Sequence, residues 1–100
     1  MITEHGLQQM GTAIFGLMHE VLIRFDDLST MTVPIHKHEL TEDTLKIIGL
    51  LSNQIQGNVI SIEVIDSEGH ALLKQDHRYT KTELYGLLII FQIRLVEVNK

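Results

Sequence analysis

The sequence predicts an α+β fold: a mainly antiparallel sheet of four to five strands, with one helix at about residues 41–56 packed on one face. Three observations carry that expectation. Val59–Ile65 is dense in β-branched residues, and a DSEG turn then leads to a returning segment, Ala71–Gln75, which is the pattern of a β-hairpin. Leu45, Ile48, Leu51 and Ile55 recur at helical spacing behind Thr41, which stands where an N-cap belongs, with Glu42 and Asp43 placing negative charge in the first turn. The chain of 100 residues has no linker, repeat or low-complexity tract, so residues 1–100 read as a single small domain.

Taken in order, residues 1–12 are expected to form an N-terminal arm or short helix. From Ile14 to Phe25 two readings stay open. Val21, Ile23 and Phe25 alternate with Leu22 and Arg24 as a strand would, while Leu7, Met10, Ile14, Leu17, Val21 and Phe25 also fit a helical stripe. A short helix near residues 3–11 followed by a strand ending at Phe25 reconciles them. A turn at DDLS would then pair that strand with Met31–His38, in which Met31, Val33 and Ile35 share one face and Thr32, Pro34, His36 and His38 the other. Pro34 has no N–H to give a ladder, which points to an edge strand or a bulge.

Gly57 and Asn58 offer the expected helix a left-handed exit. Val59–Ile65 is apolar on both faces apart from Ser61 and Glu63, so it is placed centrally with one face against the helix. The last segment, residues 84–98, is again open. TKTE at Thr80–Glu83 matches a capping box, and Leu84, Leu88, Phe91, Leu95 and Val98 fit a helix. Phe91, Ile93 and Leu95 alternate with Gln92 and Arg94, however, and a helix would leave Ile90 and Ile93 on its polar side. A strand over Leu88–Val98 is therefore preferred, giving the order β-β-α-β-β-β. The alternative is helices at one or both termini flanking a smaller sheet.

Composition narrows the function classes. Hydrophobic residues make up 44% and charged residues 21%, a generous apolar supply for so short a chain. The expectation is that another chain covers part of it. The net charge is −5 and the eight basic residues are scattered, which argues against a nucleic-acid partner. The six histidines are unusual: protonating all of them would bring the formal charge to +1. The chain has no cysteine for thiolate chemistry, and its longest apolar run, Leu87–Phe91, is far short of the ~20 residues of a membrane span. No signal sequence is recognised, so a cytoplasmic location is expected.

Three stretches carry candidate sites. In VPIHKHEL, His36 and His38 stand two apart, and on a regular strand both imidazoles would share one face, as two ligands of a metal site do. GTAIFGLM holds Phe15 and Leu17 in an apolar, glycine-punctuated run suited to an interface. KQDHRYTKTE holds Asp76, His77, Arg78 and Tyr79 in the densest mixed-charge segment, suited to a contact loop. The serines lie in no nucleophile elbow and the glycines in no phosphate-binding pattern. The chain thus reads as a small binding protein without catalytic activity or cofactor: an adaptor, inhibitor or regulatory subunit acting on itself or another protein and expected to be homo-oligomeric. The alternative is a small-molecule or metal-ion binder using surface histidines.

Overall fold

The computed structural model describes residues 1–96. Helix α1 (Glu4–Gly16) begins where the Thr3 hydroxyl accepts the Gly6 N–H at 2.9 Å, which satisfies one of the orphan donors of the first turn. Seven strands follow: β1 (Glu20–Phe25), β2 (Thr30–Thr41), β3 (Thr44–Leu51), β4 (Gly57–Ile65), β5 (Ala71–Gln75), β6 (Tyr79–Lys81) and β7 (Leu87–Arg94). All pairings are antiparallel in the order β5-β4-β1-β2-β3-β7, with β6 paired to β4 beyond the end of β5. The α+β class holds, with more strands than expected and the helix elsewhere.

The sheet curls on itself. Val21 in β1 reaches Gly49 in β3, two strands away, and a Cβ on Gly49 would stand only 3.4 Å from the Val21 side chain. At the two ends of the strand order, Gln75 in β5 donates its side-chain N–H to the carbonyl of Ile90 in β7 at 2.8 Å. The sheet is therefore curled far enough for its two end strands to meet at this hydrogen bond. Val21, Ile23, Ile47, Leu51, Ile62 and Val64 fill the inside, all at most 2% exposed. Each such side chain contributes ~1.5–3 kcal/mol by leaving water. At the mouth of the curl, Gly57 has φ 142 and the Phe25 ring lies against it. A Cβ there would come within 2.8 Å of Phe25 Cδ1, so this turn requires glycine.

The β1 ladder on β2 ends at Glu20 opposite Pro34, and β2 continues beyond it beside β3 alone. Helix α1 takes over at this end. Its one buried residue is Gly11, which seats against the Leu40 side chain of β2.

The expected helix at 41–56 is overturned. Residues 44–51 form β3, paired on one side with β2 and on the other with β7. Leu45, Ile47, Gly49 and Leu51 lie inward at period two, and the same TLKIIGLL run also offers the three-and-four spacing that suggested a helix. Thr41 is not a cap but the last residue of β2, and Glu42 (φ 55) and Asp43 make a two-residue hairpin to Thr44. The combined reading's helix followed by a strand ending at Phe25 is found, with α1 running on to Gly16 where the helix was expected near residues 3–11. Residues 87–94 are a strand, so no helix caps from Thr80–Glu83; the expected strand's last residues, 97–98, lie outside the described residues. β4 is interior to the sheet as expected, but the one helix among the described residues, α1, seats against β2 instead.

Candidate interaction surface

Strands β3 and β7 pair over their whole length, and the period-two rule divides their side chains between two faces. The opposed pairs Leu45–Ile93, Ile47–Phe91 and Leu51–Leu87 point into the curl. The alternate pairs Ile48–Ile90 and Leu50–Leu88 point outward. There Leu50, Leu88 and Ile90 are 37%, 55% and 45% exposed, and the loop leading into β7 adds Leu84 and Tyr85 at 90% and 42%. Apolar residues scattered singly over a surface need no explanation, but a contiguous group on one sheet face marks a place of contact.

Charged side chains frame both ends of this patch, and at one of them the two signs are mixed, for Lys37 Nζ meets Glu39 Oε1 at 2.9 Å and Glu39 lies opposite Lys46. At one end the outward pairs are Lys46–Gln92 and Thr44–Arg94, with Lys37 opposite Ile48 on the next strand. Arg94 Nε holds Asp43 Oδ2 at 3.0 Å, and that hydrogen bond keeps the Asp43 carboxyl below its ordinary range. At the other end stands exposed Glu83, beside Leu84.

The loop at that end is fixed from beneath by Lys81, which is 1% exposed. Its Nζ donates to the carbonyls of Ile55 at 2.9 Å, Thr82 at 2.5 Å and Tyr85 at 2.6 Å, and stands 4.9 Å from the centre of the Tyr85 ring. Three donors thus meet three carbonyls and an aromatic face, which is how a buried ammonium with no carboxylate partner among the described residues can be tolerated. Tyr85 in turn donates its hydroxyl to the Thr80 carbonyl at 2.9 Å. The loop carrying Leu84 and Tyr85 is therefore held in place.

The residues singled out by sequence are dispersed. A bulge between Ile35 and Lys37 breaks the regular alternation of β2 at His36. Beyond it His38 lies opposite inward-facing Ile47, and its ring stacks on Phe15 of α1 at 3.6 Å between centres and 18° between planes. The shared face assumed for the two imidazoles fails because the extra residue inverts the strand after it. Among the described residues no three His, Asp or Glu side chains gather to hold a metal ion.

Leu17 is 63% exposed and lines a hollow with Met18, Asp66, Glu68 and Leu72. Asp76, His77 and Arg78 are exposed where the chain leaves β4 between β5 and β6. Asp76 pairs with Lys74 at 3.3 Å rather than orienting His77, and His77 leans on Tyr79 at 5.8 Å. Arg78 and Tyr79 border a shallow hollow with Asp26, Asn58 and Thr80, separate from the one at Leu17. The Tyr79 hydroxyl is buried without a hydrogen-bond partner among the described residues, and burial pushes its pKa up to about 12.

Sequence reasoning passed over Leu50, Leu88, Ile90 and Lys81. The one available signal was that residues 87–91 are apolar at every position, which an edge strand with one wet face does not need. No family model, no curated protein and no solved structure matches this chain.

Proposed function

We propose that this chain is a non-catalytic binding module that works through protein–protein contacts, with the outer face of β3 and β7 as its working surface. The observation that carries this reading is the contiguous apolar group Leu50, Leu88 and Ile90, continued by Leu84 and Tyr85 on a loop that Lys81 holds in place. A rigid, exposed apolar surface with charges at its ends is the anatomy of a protein interface, an apolar centre with a polar rim.

The test is association of the purified chain with itself or with a partner recovered by pull-down, compared with the double variant Leu88→Lys, Ile90→Lys. Both positions face outward, so the variant is expected to keep its fold by circular dichroism and to lose association. A wild-type chain that stays monomeric at every concentration and recovers nothing beyond what the variant recovers would sink the reading.

A further inference from the structure

We infer that the hollow bordered by Asp26 and Arg78 binds a small zwitterion of the free α-amino-acid class, its ammonium held by Asp26 and its carboxylate by Arg78. The site lies where the end of β1, the start of β4 and β6 come together, and it does not depend on the β3–β7 face. Asp26, Asn58, Ile60, Arg78, Tyr79 and Thr80 line a hollow of about 290 Å³. That volume is at the lower end of the range for small-molecule sites.

Backbone pairing sets three of these residues in one row. Asp26 donates its N–H to the Asn58 carbonyl at 2.9 Å, and Asn58 stands opposite Thr80 in the β4–β6 ladder. With adjacent strands ~4.8 Å apart, the row spans about 10 Å from Asp26 to Thr80, with Asn58 at its centre. Thr80 Oγ1 donates to Asn58 Oδ1 at 2.9 Å, so the amide is fixed through its oxygen and its N–H donors are left for a ligand. Arg78 comes in from the Thr80 side of the row. A carboxylate thus stands at one end, neutral donors in the middle and a guanidinium at the other.

The neighbouring charges that could cancel these two are already engaged. Arg24 holds Glu63 at 3.3 Å, Lys74 holds Asp76 at 3.3 Å, and Asp27 Oδ1 accepts both the N–H and the hydroxyl of Ser29. Among the described residues neither the Asp26 carboxylate nor the Arg78 guanidinium has an ion-pair or hydrogen-bond partner, although both line the same hollow. A simple anion would meet Arg78 and be repelled by Asp26, and a simple cation the reverse. Only a molecule that carries both charges a few bonds apart gains from both groups at once.

The experiment is NMR and calorimetric titration of the full chain with L-alanine and L-leucine at millimolar concentration. N-acetyl-L-alanine and L-alaninamide, which each keep one of the two charges, are titrated beside them. The free amino acids are expected to bind, with amide shifts centred on Asn58 and Thr80. Each singly charged analogue should bind about tenfold more weakly, the worth of one lost charge-assisted hydrogen bond. Asp26→Asn and Arg78→Gln, both at exposed positions, should keep the melting temperature and each cost about tenfold in affinity. Leu88→Lys with Ile90→Lys should bind as wild type does, which separates this site from the protein-contact face. The inference is overturned by a chain that responds to none of the four probes, or by wild-type affinity in both single variants. Equal binding of L-alanine and either singly charged analogue also overturns it, since the hollow would then be a plain anion or cation site.

Discussion

At the scale of single residues, two buried polar groups make opposite demands. Lys81 brings three carbonyls together, so Lys81→Met keeps the volume and deletes every donor. The expected cost is about 3 kcal/mol, since buried acceptors are left unmet. Urea denaturation measures it, and a loss under ~1 kcal/mol would show that water serves these carbonyls as well as the ammonium does. The Tyr79 hydroxyl has no hydrogen-bond partner to lose among the described residues. Its pKa is raised from 10.0 to about 12 by burial first and the nearby Tyr85 second, so above pH 10 the unfolded chain gives up this proton before the folded one does. Stability contributed by the protonated group is complete below pH 10 and drains away as pH climbs toward 12. Tyr79→Phe should flatten that alkaline fall in melting temperature while changing stability little at pH 7; an unchanged alkaline slope would mean that Tyr79 titrates alike in both states. Neither role could be read from the sequence, because Lys81 and Tyr79 look like members of a polar loop until the chain closes around them.

At the scale of elements, the legible parts were those whose local chemistry and tertiary position agree. The β4–β5 hairpin has a turn in which Asp66 Oδ1 accepts the N–H groups of Glu68 and His70, both at 2.9 Å, and β1 joins β2 through Asp27 accepting the Ser29 N–H in the same way. Asp and Ser at such positions announce the turn directly. β3 was illegible because Leu45 to Leu51 satisfies both periodicities, and what decides between them is β7, distant in sequence and paired to it along its full length. Helix α1 is the least anchored element: Met10 is 46% exposed and Leu17 63%, and the Phe15–His38 stack and the Gly11–Leu40 contact are its principal ties to β2. Hydrogen exchange is therefore expected to release the α1 amides well before those of β1 and β4, and His38→Ala to hasten α1 alone. Exchange of α1 in step with β1 would show the helix to be part of the same cooperative unit.

For the whole molecule, the decisive property is that one apolar supply is shared between an inside and an outside. The curl consumes the inward half of β3 and β7, and the outward half, Leu50, Leu88 and Ile90, is what remains for contact. The high hydrophobic fraction of the sequence announced such a surplus without saying where it lies, since residues 87–91 are apolar on both parities. The bulge at His36 carries a further consequence, for how the chain can change its length. The ladders pass over three residues without pairing them, His36 in β2, Ile60 in β4 and Leu72 in β5. Removing His36 leaves Ile35 and His38 on one face of β2 and Lys37 on the other, as they already are, whereas removing Lys46 from the unbroken β3 turns the residues on one side of the gap to the wrong face. Deletion of His36 should leave a cooperative thermal transition and deletion of Lys46 should abolish it, a contrast that equal damage from the two would refute. Single-residue losses and gains in this lineage would then be tolerated at the bulges and purged from the straight ladders, so the histidine that first suggested a metal ligand marks a place where the chain can be edited.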